Sequence, residues 1–186
     1  MPGKRGPVIA VSGPPGSGKT TYARRLAEDL GLEFYSAGMF FRRLAEERGL
    51  SLLELNELAV RDPRIDLEID RMTYETGLKG NVVIEGHLVA WVLRDIADVK
   101  IYVTAPLEVR VKRIAERDGV PVRQALIETV RREMLHRKRF YEYYGIDITD
   151  LSIFDLVVDT SRLGIDEVYA IIRSFVDRVL KSTRSC

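Results

Sequence analysis

The sequence predicts a three-layer α/β domain, a five-stranded parallel sheet with helices on both faces. Three observations carry this. Apolar runs of strand length recur at Val8 to Ser12, Leu32 to Tyr35, Val82 to Glu85, Val99 to Thr104 and Leu156 to Asp159. Each is followed by a polar turn and a stretch of helical periodicity, and strands separated by helices pair in parallel because a parallel neighbour is reached only through a long crossover. The first run also ends in a glycine-rich turn that opens a helix, which marks the edge of the sheet where ligands bind.

In order along the chain, Val8 to Ser12 is the first strand, and Gly18 to Leu30 carries Tyr22, Ala23, Leu26, Ala27 and Leu30 at helical spacing. After the second strand, Gly38 to Leu78 has helical pattern rich in Glu and Asp. It is too long for a simple crossover and is expected to be an inserted helical arm. Val82 to Glu85 is the third strand, followed by a helix bearing Trp91, which is expected to pack on the sheet. Beyond the fourth strand a helix runs from Leu107 to about Arg117, breaks at Asp118-Gly119-Val120-Pro121, and resumes as a basic helix to about Tyr144. Its Phe140-Tyr141-Tyr143-Tyr144 cluster is expected to anchor that helix. The fifth strand ends at Thr160-Ser161.

Composition bounds the function. A chain of 186 residues fits one domain and buries roughly two-thirds of its unfolded surface. Cys186 is the only cysteine, so no intramolecular disulfide is possible and the cytoplasm is the expected compartment. No run of about 18 apolar residues suggests a membrane span, and the start MPGKRGPVIAVSGPP lacks the apolar stretch of a signal peptide. The 29 basic and 28 acidic side chains nearly balance, which argues against general nucleic-acid coating. Locally the balance fails: ten basic residues face four acidic ones between Arg110 and Arg139. The only side-chain amides are Asn56, Asn81 and Gln124, a scarcity that goes with many charges in proteins adapted to heat.

Gly13-Pro14-Pro15-Gly16-Ser17-Gly18-Lys19-Thr20 satisfies G-x-x-x-x-G-K-[ST], with a strand before it and a helix after. Its glycines let backbone N–H groups turn inward around phosphate oxygens, and the helix N-terminus adds its dipole. Lys19 then reaches the β and γ phosphates of ATP, Thr20 offers its hydroxyl to Mg²⁺, and Thr21 sits beside them in the first helical turn. Glu85 ends an apolar strand at the ligand-binding edge and is the expected acid on the Mg²⁺ side, acting through water; the alternative is a solvated strand end. The N-K-x-D and D-x-x-G motifs of GTPases are absent, which points from a regulatory switch toward phosphoryl transfer between small molecules.

Taken in order, Gly13 to Thr20, Ser36-Ala37-Gly38-Met39-Phe40-Phe41-Arg42, Glu85-Gly86-His87 and a basic helix with Arg132 and Arg139 resemble the landmarks of nucleoside monophosphate kinases. The stretches 66–71, 85–91 and Tyr144-Gly145-Ile146-Asp147 are similar to the archaeal cytidylate kinases, and the resemblance spans nearly the whole chain. It implies a P-loop kinase fold in one domain, with a core of residues 7–37, 79–117 and 145–186, an NMP-binding arm over 38–78 and a lid over 118–144. It implies a monomer that moves the γ-phosphoryl of Mg-ATP to CMP and dCMP, giving ADP and CDP, with no membrane or nucleic-acid partner. The alternatives are AMP or UMP as acceptor, or an ATP-dependent RNA-associated assembly factor.

On the same resemblance, Arg42 with Ser36 and Gly38 grips the acceptor phosphate, a task suited to the guanidinium fork; alone, Arg42 reads equally as a solvated helix charge. Arg113 lies against the adenine, while Arg117, Arg132 and Arg139 surround the transferring phosphoryl, and Thr160-Ser161 opens the loop beneath the adenine. Asp66, Asp70 and Arg71 are matched to the edge of cytosine, with an exposed charged helix face as the alternative. Two departures stand out, His87 where the family commonly has arginine and His136 where a lid acid is common. His87 is expected to donate to the acceptor phosphate if the dianion raises its pKa. Met39 replaces the acid frequent in adenylate kinases, which weakens the case for AMP.

Overall fold

Val8–Ser12 (β1) is buried along its whole length, as a strand covered on both faces must be. In the computed structural model, which describes residues 5–184 and so leaves Cys186 outside, β1 pairs in parallel with Val82–Glu85 (β3) and Val99–Thr104 (β4). Glu33–Ser36 (β2) and Leu156–Asp159 (β5) complete the five strands in the order β2-β3-β1-β4-β5, all parallel. Register sets Glu85 level with Val11 on one side and Ser36 on the other. The loops leaving β1, β2 and β3 therefore open at one edge of the sheet.

Strand residues alternate between two cores, as the two-residue side-chain period requires. Ile9, Val11 and Val83 join Tyr22, Leu26, Val168 and Ile172 on one face, beneath Lys19–Leu30 (α1) and Ile165–Arg184 (α8). Val8, Ala10, Val82 and Ile84 join Val89, Ala90 and Leu93 on the other, around the single turn Val89–Val92 (α5). Trp91 packs in this second core, edge-on to Phe154 at 5.1 Å, as expected.

The segment after β2 folds as three helices, Ala37–Glu47 (α2), Leu52–Arg61 (α3) and Arg64–Lys79 (α4). They enclose a core of their own, with Phe40, Leu44, Leu55, Ala59, Ile65 and Ile69. The Ser51 capping box, in which Ser51 and Glu54 satisfy each other's backbone N–H groups, explains why the helical pattern breaks and restarts. Leu107–Asp118 (α6) and Val122–Tyr144 (α7) meet at Gly119, which ends α6 with φ 66°, and pack through Val111, Ile114, Ala115 and Ala125. The start of α1 and both ends of β2 move by a residue. Gly18 caps α1 at φ 89° instead of opening it, and Leu32 belongs to the turn because its N–H closes on Ala27 O at 2.9 Å. No helix among the described residues is long and apolar enough to cross a membrane.

Candidate active site

The loop from Gly13 to Thr20 is held by close backbone approach. A Cβ on Gly13 would stand 2.1 Å from Val103 O, and Gly16, at φ 76°, would meet Arg110 O at 2.6 Å. Ser17 N donates to Pro14 O at 3.3 Å, which closes the turn and leaves the first N–H groups of α1 pointing out of the helix end. Gly13, Pro14 and Ser17 do not line the cleft, whereas Pro15, Gly16, Gly18, Lys19, Thr20 and Thr21 line its volume of about 700 Å³. Lys19 folds back over the loop, its Nζ 3.5 Å from Pro14 O. Burial lowers its pKa, Glu85 opposes that, and Arg132, Arg117 and Arg110 add to it. An anion in the cleft would relieve that strain on the ammonium.

Thr20 Oγ1 donates to Glu85 Oε1 at 3.1 Å, and Glu85 is buried at the tip of β3. A hydroxyl and a carboxylate side by side, next to a phosphate-shaped loop, suit a hard divalent cation that keeps several waters. Among the described residues no group of three or more His, Cys, Asp or Glu side chains can hold a metal, so a cation here would need oxygen ligands from a bound phosphate.

Two arginines of α6 brace this arrangement. Arg113 donates to Thr160 Oγ1 and Thr160 O, both at 2.8 Å, and reaches Gly16 O at 3.4 Å. Thr160 in turn donates to Ser17 O at 3.0 Å, which ties the loop after β5 to the loop after β1. Arg110 was not singled out in the sequence, yet it is buried, bonds Ala105 O at 2.8 Å and Pro15 O at 3.1 Å, and pairs with Glu133 of α7. Its signal was available: a lone arginine on the face of α6 that carries Val111, Ile114 and Ala115.

Across the cleft stand Ser36, Gly38 and Arg42 from the β2–α2 junction, with Arg24 and Phe34 at the rim. Ser36 Oγ accepts from Met39 N at 3.1 Å and so caps α2. A Cβ on Gly38 would lie 3.7 Å from the Arg42 guanidinium, an ordinary van der Waals contact, so Gly38 and Arg42 are neighbours on the cleft wall. Arg24 lies over the Phe34 ring at 4.5 Å. Arg113 and Arg117 of α6 and Arg132 of α7 complete the wall. Arg117 is tied to Asp118 by two bonds of 2.7 and 2.8 Å. Arg132 is lowered in pKa by burial and by the neighbouring Arg117.

His87 also lines the cleft, its ring 4.8 Å from that of His136 on α7. Burial and then Lys19 hold His87 well below the usual histidine value, and His136 is pushed down to about 3 by burial and by Arg132. Both imidazoles are therefore neutral when no anion is present.

Asp66, Asp70 and Arg139 do not line the cleft. They meet one another in the seam between α4 and α7. Arg139 Nε stands 2.8 Å from Asp66 Oδ2, close enough for charge attraction but without the alignment of a hydrogen bond. Tyr144 Oη donates to Asp70 Oδ2 at 2.6 Å. Burial raises the pKa of Asp66, with Arg139 opposing, and raises that of Asp70 to about 6, with the Tyr144 bond opposing. Arg71 is not brought to the site. One residue beyond Asp70 it turns by about 100° around the helix, is mostly exposed, and faces Glu75 at 3.6 Å.

Residues 8–162 match the family described as cytidylate kinase-like. A cytidylate kinase of Staphylothermus marinus is 60% identical over 174 residues, covering 94% of this chain and 98% of that protein. Another, of Aeropyrum pernix, is 60% identical over 162 residues, covering 87% and 94%. Among solved structures, a shikimate kinase of Bacteroides thetaiotaomicron superposes with a TM-score of 0.63 at 14% identity, over 92% of this chain and 98% of its own. An uncharacterized protein of Eubacterium ventriosum reaches 0.70 at 19% identity over the same shares. At those identities the structural likeness is one of fold.

Proposed function

The chain belongs to the cytidylate kinase-like family, and from that premise we propose that it transfers the γ-phosphoryl group of ATP to CMP, giving ADP and CDP. The observation that carries the reading is a single cleft with the glycine loop and Lys19 on one wall and Arg42 on the other. Such a cleft can align a triphosphate tail with a second phosphate.

In this reading the N–H groups of residues 16–20 and Lys19 hold the β and γ phosphates, and Arg42, above Gly38, aims the acceptor phosphate at the γ phosphorus. One oxygen of that phosphate forms the new P–O bond while the bond to the β-phosphate bridging oxygen breaks, so the electron pair leaves on ADP. A phosphate dianion is already a nucleophile, so no general base is needed. Arg132 stabilises charge spread over the equatorial oxygens, and Arg117 and Arg139 join it once they release Asp118 and Asp66. Arg113, fastened to Thr160, flanks the adenine. Thr20, and Glu85 through water, would hold Mg²⁺, which neutralises triphosphate charge when bound. His87 is the floor of the acceptor phosphate site and gains a proton only when the dianion arrives. Asp66 and Asp70, which lie outside the cleft in the seam between α4 and α7, take the cytosine edge once Arg139 leaves Asp66 for the phosphoryl group. The arm is residues 38–78 and the lid is residues 118–144. We take the enzyme to be a cytoplasmic monomer that also accepts dCMP.

The test is ADP release with CMP, dCMP, UMP and AMP as acceptors, with and without Mg²⁺. CMP is expected to give the highest kcat/KM. Preference for AMP or UMP would overturn the base assignment, and ATP hydrolysis stimulated by RNA without any small acceptor would overturn the reaction.

A further inference from the structure

Two carboxylates one turn apart on α4 face α7, and α7 answers them with different chemistry. Asp66 meets a cation, Arg139, at 2.8 Å. Asp70 meets a phenol, Tyr144, whose hydroxyl donates one hydrogen bond of 2.6 Å to Oδ2. A cation cancels charge; a phenol steadies a carboxylate and leaves its charge in place. We propose that Tyr144 is a positioning residue for base selection, holding Asp70 ionised with Oδ1 presented to the exocyclic amine of cytosine. This rests on the reading that Asp70 faces the acceptor base.

The argument is one of donors and acceptors. An ionised carboxylate only accepts, so it takes the amine of cytosine and is repelled by the corresponding carbonyl of uracil. A protonated carboxyl both donates and accepts, and then discriminates little between the two. Burial and the neighbouring Asp66 drive Asp70 toward protonation, while Tyr144 and Arg139 resist. Of the two opposing groups, Arg139 stands against Asp66 rather than Asp70 and, in the reading above, leaves for the phosphoryl group. Tyr144 is thus the group that tips Asp70 toward the discriminating state. Its place is well set. Gly145, at φ 66°, ends α7 immediately after it, and the rings of Phe140 and Tyr143 each lie 6.5 Å from its own. Asp147 then accepts from Thr149 N at 3.0 Å and turns the chain away. The Tyr-Gly-Ile-Asp stretch is explained as a device that ends the lid helix on a fixed hydroxyl.

The experiment uses the full chain and compares wild type, Tyr144→Phe and Asp70→Asn in kcat/KM for CMP and UMP from pH 5 to 9. Phe keeps the ring and removes only the hydroxyl. The expected result is a CMP-over-UMP preference reduced about tenfold in Tyr144→Phe, with the acid limb of the CMP profile moved up by about one pH unit and KM for ATP unchanged. If Asp70→Asn loses the preference while Tyr144→Phe keeps both preference and acid limb, the role of Tyr144 is overturned and base reading by Asp70 stands. If Asp70→Asn itself keeps the preference, base reading by Asp70 fails and the inference fails with it.

Discussion

Lys19 is a buried ammonium among other cations: burial lowers its pKa, Glu85 opposes that, and Arg132, Arg117 and Arg110 add to it. Positive charge concentrated in a dry cleft is costly until an anion enters, and that cost is what a triphosphate repays. Lys19→Ala should therefore cut kcat by about 10³-fold or more while melting within a few degrees of wild type; normal turnover in a coupled assay would remove the glycine loop from the chemistry. Asp70 makes a prediction of the opposite kind. Its pKa rises from 3.8 to about 6 on folding, so the stability it contributes is complete below pH 3.8 and is lost as pH rises through about 6. Asp70→Asn should consequently gain on wild type by about 1 to 3 kcal/mol between pH 4 and pH 7, read as a growing difference in Tm; a flat difference would mean the carboxylate is well solvated. The residues that resisted reading were those whose partners are distant in the chain. The pairing of Arg139 with Asp66 shows only when α4 is seen across from it, and Arg110 reads as one charge among many until its bonds to Ala105 and Pro15 appear.

The arm helices α2, α3 and α4 bury their apolar faces against one another more than against the sheet. That makes these three helices a packing unit of their own. Leu55, fully buried at its centre, tests this: Leu55→Ala should cost about 2 to 5 kcal/mol locally and raise KM for the acceptor several-fold, with ATP affinity little changed. Equal loss of both affinities would make arm and sheet one cooperative unit. The β strands and helices α1, α6 and α7 were legible because local signals agree, apolar runs of four to six residues bounded by Gly, Pro or Asp. The division of the arm into three helices was not. Its apolar spacing runs on through two short loops; the first break is made by Gly49 at φ 63° and the Ser51–Glu54 cap, the second at Pro63, which precedes α4.

Across the molecule, the cleft is bounded by elements that are far apart in sequence, α1, α2, α6 and α7 with the tip of β3. A ligand that touches all of them couples α2, the sheet and α7. ATP with CMP at about 100 times their Kd should stabilise the chain by roughly 2.7 kcal/mol per independent site, or about 5 to 10 °C in Tm, and Lys19→Ala should lose most of the ATP share. A Tm unmoved by both nucleotides would argue that the cleft is not their site. The glycine loop, the strand order of events along the chain and the family were determined by residues that act over short spacings, where a turn, a dipole and a phosphate-sized pocket follow from a handful of neighbours. Which carboxylate meets which partner was decided only in three dimensions. Asp66 and Asp70 lie more than 70 residues from Arg139 and Tyr144, and the charge state of a buried group depends on what the fold sets against it.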